Sequence, residues 1–270
     1  MARMGKMGRS NLARTATALR EDSRLGKFLP SALTLLGLCS GATAIWFALG
    51  GDWKAGVAAI ICAAVFDTLD GRLARLFGVA GAFGAQLDSL ADLVSFGIAP
   101  GVLVYMWTLY HAQGAGWAFA LIFCAASAIR LARFNVESAE RDSSSPTPSY
   151  FTGLPTPAAA CLILLPMVLA FQFKSSAFSH PWLSAAMIAL MSWLMVSRVP
   201  TLSLKQVQVP RQFKKAVPAF GGLLLASAIL WPWATLTVAL LAYLDTIPLI
   251  ASHFGIDEID EEESPPDASG

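Results

Sequence analysis

The chain has 270 residues, of which 56% are hydrophobic and 14% charged, with a formal net charge of +1 and a mean hydropathy of +0.59. A water-soluble domain carries about 25% charged residues, so this composition excludes a soluble globular protein and predicts an all-α, polytopic transmembrane helix bundle. The net charge by itself identifies no partner, since the charges are segregated along the chain, and no nucleic-acid partner is expected.

In chain order, residues 1–28 form a basic arm with Arg3, Lys6, Arg9, Arg14, Arg20, Arg24 and Lys27. It lacks a short apolar core followed by a small-residue cleavage site, so it does not read as a cleaved signal but as a segment lying on anionic lipid headgroups. Apolar runs of membrane-spanning length then give about eight predicted spans, near 29–49, 54–77, 84–110, 116–134, 154–173, 181–196, 216–231 and 233–252. Only Trp231-Pro232-Trp233 divides the last two, so six or seven spans also fit. Residues 29–253 are thus read as one transmembrane domain, and 254–270, with Asp257, Glu258, Asp260 and Glu261 to Glu263 within it, as an acidic disordered tail.

Lys and Arg set the orientation. The basic arm, Arg72, Arg75, Arg130, Arg133, Arg141 and the five basic residues from Arg198 to Lys215 fall on one side, and Lys54 and Lys174 on the other. Both termini and the turn after residue 77 are therefore expected to face the cytoplasm, with the chain in the cytoplasmic membrane. Cys39, Cys62, Cys124 and Cys161 lie within apolar runs without metal-ligand spacing and read as small hydrophobes. His111, His180 and His253 lie near span ends and read as interfacial polar residues.

The chemistry is concentrated in one stretch, Asp67-x2-Asp70-Gly71-x2-Ala74-Arg75-x8-Gly84-x3-Asp88-x3-Asp92. Residues three and four apart share a helix face, so Asp67, Asp70, Gly71 and Ala74 form one stripe and Gly84, Asp88 and Asp92 another. The short turn at Gly78, Gly81 and Ala82 makes the two helices antiparallel neighbours with converging stripes. A carboxylate at membrane depth costs about 2.5–3.5 kcal/mol, so four of them need a compensating cation. All-oxygen ligands suit magnesium, manganese or calcium rather than zinc. Gly71, Ala74 and Gly84 clear side-chain bulk from the same faces, and Arg75 offers a fork of donors suited to a pyrophosphate. Interfacial carboxylates with helix-packing glycines would explain Gly71 or Gly84 singly, but not four acids and an arginine in register. A cation transporter would place its acids at the midplane, not at the cytoplasmic helix ends, and has no use for Arg75 beside two small residues.

Every fixed position of this stretch resembles the signature of the CDP-alcohol phosphotransferase family. The resemblance implies a six-helix core followed here by two further spans, a homodimer, and transfer of a substituted phosphate from a CDP-linked donor to an alcohol with release of CMP. It further implies that Asp67, Asp70, Asp88 and Asp92 hold Mg2+ or Mn2+, one ion or two, that Gly71, Ala74, Arg75 and Gly84 bound the CDP site, and that Asp92 acts as base. Ser95-Phe96-Gly97-Ile98-Ala99-Pro100, Arg130-Leu131-Ala132-Arg133-Phe134-Asn135 and Phe151-x-Gly153-Leu154-Pro155-x-Pro157-Ala158-Ala159-Ala160 are similar to the integral-membrane branch that makes phosphatidylserine. That similarity implies CDP-diacylglycerol as donor and L-serine as acceptor, with choline, glycerol 3-phosphate and inositol as the alternatives. Serine's carboxylate needs a cationic site, for which Arg130 and Arg133, with Asn135 beside them, are the candidates. Positive-inside charge at a helix end accounts for these arginines equally well.

Overall fold

A computed structural model describes residues 23–78, 81–140, 151–197, 200–201, 222 and 226–246. Most of the basic arm, residues 202–221 of the basic loop and the acidic tail lie outside these residues. The chain divides into two compact units, Met1–Trp107 and Thr108–Gly270.

In the first unit, α1 spans Ser23–Leu49, α2 spans Trp53–Phe77 and α3 spans Ala82–Asp92. Helix α1 begins inside the predicted 1–28 arm, because Leu, Lys and Arg propagate a helix as readily as the apolar run that follows. The α1–α2 turn is closed by Asp52, whose side chain accepts the Ala55 N–H at 3.2 Å and caps α2. Gly78 ends α2 in the left-handed region at φ +64°, donating its N–H to the Ala74 carbonyl, a conformation a side chain would strain.

After Asp92 the helix widens into a π turn over Leu93–Ile98 and returns to an α-helix, α4, over Ala99–Trp107. Pro100 supplies the local cause. Its ring removes an N–H and crowds the preceding carbonyls, and the Ala99 N–H reaches back five residues to Val94. The predicted run 84–110 is therefore one pass in three pieces ending at Trp107.

Helix α1 packs along α2 and against α3, the π turn and α4, whereas α2 and α3 make few direct backbone contacts. The two acidic helices thus each pack mainly on α1, and their acidic stripes converge as the sequence predicts. Gly41 permits the approach, for a Cβ there would overlap the backbone and side chain of Ser95 in the π turn. Ser40 Oγ donates to the Ala59 carbonyl at 2.8 Å and ties α1 to α2. Ala44, Val57, Ile60, Ala63, Phe96 and Leu103 are buried between these helices, while Leu35, Leu36, Trp46, Val65, Leu76 and Leu90 face outward. An apolar exterior over an apolar core is the pattern of a protein solvated by lipid.

In the second unit, a 3-10 turn at Leu109–Ala112 leads into α5, Gln113–Glu140. Phe151–Thr152 pairs antiparallel with Pro200–Thr201, a two-residue ladder absent from the all-α expectation. The predicted run 154–173 is broken at Leu164 into α6, Thr156–Ile163, and α7, Leu165–Phe173. Pro166 cannot donate within the helix, and Leu164 N–H closes a tighter turn on Cys161 at 3.2 Å. Helix α8 spans Pro181–Val196, and residues 226–230 and 232–246 are helical on either side of Trp231. Buried Phe123, Leu162, Met167, Ile188 and Met191 form this unit's core, with Thr108 Oγ1 donating to Ser184 Oγ at 3.0 Å. All four cysteines are free thiols.

Among the described residues, four helical stretches are long and apolar enough to cross a membrane: Leu29–Leu49, Phe83–Trp107, Gly114–Ser138 and Thr156–Phe173. This is fewer than the predicted runs for identifiable reasons. Helix α2 is long enough but carries Lys54, Asp67, Asp70, Arg72 and Arg75, and α8 is apolar but has only 16 residues. The last two runs fall partly outside the described residues.

Candidate active site

Asp67 and Asp70 sit one turn apart on α2, and Asp88 lies on the middle turn of α3. One carboxylate oxygen from each falls within 4.8 Å of the others. Like charges this close repel by about 1 kcal/mol per pair in water and about 4 kcal/mol near a protein surface, and a cation held among them would relieve that repulsion. Asp70 is buried, and Asp67 and Asp88 are half-buried.

The cavity that holds them is also lined by Asp92 and Ala91, by Thr34, Gly37 and Leu38 from α1, and by Ser95 and Phe96 from the π turn. Asp92 therefore borders the same space but stands outside the tightest carboxylate triad. Thr34 Oγ1 lies 2.6 Å from Asp70 Oδ2, and Ser95 Oγ donates to the Gly37 carbonyl at 3.2 Å. The α1 contribution is absent from the sequence reading. Its signal is Thr34, Gly37 and Gly41, a polar and two small residues on one face of α1.

Gly71, Ala74, Arg75 and Gly84 lie outside that cavity's lining. A Cβ on Gly71 would meet only Arg75 Nη2, at 3.9 Å, and one on Gly84 would meet nothing within 4 Å. Arg75 is exposed in the last turn of α2. Gly71 and Gly84 leave open space on the loop side of the same two helices.

The second unit holds the other candidates. Arg130 is half-buried on α5 and donates from Nη1 to Thr156 Oγ1 at 2.9 Å. Thr156 is buried and opens α6 directly after the Gly153-Leu154-Pro155 turn. Arg133 donates from Nη1 to the Val196 carbonyl at 3.1 Å, placing its charge at the C-terminal end of α8, where the helix dipole favours a cation. Asn135 is half-buried on α5. The structure thus gives Arg133 a helix-capping partner and leaves Arg130 beside a buried hydroxyl.

Long apolar helices, with three carboxylates gathered into one cleft, define a polytopic membrane protein with an acidic cluster able to hold a metal ion. The chain belongs to the CDP-alcohol phosphatidyltransferase family, whose sequence profile matches residues 27–196. It is 35% identical over 222 residues to a CDP-diacylglycerol–serine O-phosphatidyltransferase of Mycobacterium leprae, covering 82% of this chain and 74% of the relative. The protein of that name from Helicobacter pylori strain 26695 is 32% identical over 179 residues, 66% of this chain and 73% of the relative. That from Bacillus subtilis is 33% identical over 173 residues, 64% of this chain and 88% of its own length.

Proposed function

We propose that this protein transfers the phosphatidyl group of CDP-diacylglycerol to L-serine, giving phosphatidylserine and CMP. The observation that carries the reading is the convergence of Asp67, Asp70 and Asp88 in one cleft of a family member, joined to the activity for which relatives matched over most of this chain are named. The donor set fits Mg2+ or Mn2+, since it is all oxygen, compact and half-buried. Asp67, Asp70 and Asp88 would hold the ion or ions, with Asp92 at their edge. When bound, the metal supplies charge neutralisation for the diphosphate and for the departing CMP.

The chain's own residues do the rest. Arg75 donates to the diphosphate, and the bare faces at Gly71, Ala74 and Gly84 let the cytidine part lie against the backbone. Asp92 accepts the proton of the serine hydroxyl as its oxygen bonds to the diacylglycerol-bearing phosphorus. The bond from that phosphorus to the CMP oxygen breaks, and CMP leaves with the electron pair. No covalent enzyme intermediate is needed, because phosphoryl transfer rests on positioning and charge stabilisation. In this reading the eight-span topology, the cytoplasmic position of the acids and both termini, and a homodimeric assembly stand with the function.

The test offers serine, choline, glycerol 3-phosphate or inositol singly with CDP-diacylglycerol to purified protein and Mg2+ or Mn2+. Serine alone should support rapid CMP release, with phosphatidylserine identified by lipid chromatography. Phosphatidylglycerophosphate or phosphatidylcholine as the main product would overturn the acceptor, and no CMP release with any acceptor would overturn the reaction.

The two arginines separate in a second expectation. A charge-assisted hydrogen bond is worth about 1.5–3 kcal/mol, so Arg130→Ala should raise the serine KM by roughly ten- to a hundredfold and leave the donor KM nearly unchanged. Arg133→Ala should instead lower the melting temperature in detergent, since it removes a helix-end interaction worth about 0.3–1 kcal/mol. An unchanged serine KM in Arg130→Ala would move the carboxylate site elsewhere.

A further inference from the structure

We infer that Thr34, on the first helix and outside the acidic signature, is a positioning residue that fixes the Asp70 carboxylate for metal binding; the inference rests on the metal site proposed above. Thr34 Oγ1 lies 2.6 Å from Asp70 Oδ2, the length of a hydroxyl bond to a carboxylate. The two residues are 7% and 4% exposed, so their contact is largely shielded from solvent. Thr34 also lies on the wall of the cleft that holds the acids and is hydrogen-bonded to one of them.

The alternative occupation of that hydroxyl is local. Thr34 Oγ1 is 3.0 Å from the Pro30 carbonyl, one turn back on α1, a bond that threonines in helices make without any functional role. A hydroxyl has one proton to donate, and the shorter contact to a group that is anionic when ligating is the stronger claim on it. Holding one carboxylate oxygen restricts rotation about the Asp70 side chain and sets the plane of the carboxylate. A ligand so oriented surrenders less freedom when the ion binds, which is why partners of metal ligands commonly alter metal affinity by about 10–100-fold when removed.

The placement of Thr34 also links metal binding to the packing of α1. The turn that carries Thr34 is followed by Gly37 and Gly41, where α1 meets the π turn through Ser95. Asp70 is thereby referenced to the same helix that fixes the segment following Asp92.

The experiment is a titration of Mn2+ alone onto purified, detergent-solubilised protein, with free Mn2+ read by electron paramagnetic resonance and no substrate present. Thr34→Val keeps the shape and removes the hydroxyl, and should weaken Mn2+ binding by about 10–100-fold. Thr34→Ser should restore most of the affinity. In an Asp70→Asn background Thr34→Val should have no further effect, because the two residues act as one unit. Wild-type affinity in Thr34→Val, or an equal loss in both backgrounds, would overturn the inference. If Thr34→Val is not recovered as folded protein, Thr34→Ala is read by the same criteria. Failure of the wild-type protein itself to take up Mn2+ would overturn the metal reading, a result distinct from either.

Discussion

Asparagine in place of Asp70 or Asp88 is expected to lower turnover at least about a thousandfold while leaving the protein folded and monodisperse in detergent. The substitution keeps side-chain volume and removes the charge that the cluster contributes. Metal-assisted charge stabilisation is worth several kcal/mol, and about 4 kcal/mol corresponds to a thousandfold in rate. Asp70 and Asp88 come from different helices, and their oxygens with that of Asp67 lie within 4.8 Å of one another, so each is needed to close the donor set. Chelation of the wild-type protein should abolish turnover, and restoring Mg2+ or Mn2+ should recover it. Turnover within tenfold of wild type in either variant would remove these carboxylates from the reaction.

Asp92 should behave differently, and the difference identifies its role. It lines the cleft beside the triad rather than within it. If it accepts the acceptor's proton, Asp92→Asn should reduce kcat by about 10^2–10^4-fold, the range general-base catalysis supplies. The donor KM should then change only a few-fold, because proton acceptance matters in the transition state and not in the ground state. A parallel loss of donor affinity, or of Mn2+ binding measured without substrate, would make Asp92 chiefly a metal ligand.

The clustering of Asp67, Asp70 and Asp88 was legible because its information is local. Asp67 with Asp70, and Asp88 with Asp92, follow helical spacing, and the glycines at 78 and 81 mark the turn between them. The part played by α1 was not legible, since Thr34 precedes Asp70 by 36 positions and no helical spacing relates the two. The break at Leu164 was written in Pro166, but an uninterrupted apolar run hides a proline when only hydropathy is read. The π turn was harder, because an i-to-i+5 turn and an α-turn share composition and differ only in how Pro100 is accommodated. Arg133 shows a further limit. Its spacing from Arg130 places both on one face, yet the two side chains reach different partners, a hydroxyl on α6 and the carbonyl end of α8.

The wide turn at Leu93–Ile98 has a consequence for how this stretch of chain can vary. Each residue of an α-helix advances the side chains by about 100°, so in an unbroken helix the azimuth of Asp88 would be locked to that of the apolar residues beyond it. The extra residue in the turn offsets the two halves by a fixed angle. The acids ahead of it face the cleft, while Ala99, Leu103 and Val104 behind it remain buried. Length between Asp92 and Ala99 is therefore a phase setting, and it is constrained in a way that side-chain identity is not. Point substitutions here alter packing by degrees, whereas loss or gain of one residue would rotate the whole acidic half relative to its apolar continuation. Divergence among proteins that keep this site is accordingly expected to run through exchanges of side chains in the segment, at constant residue count.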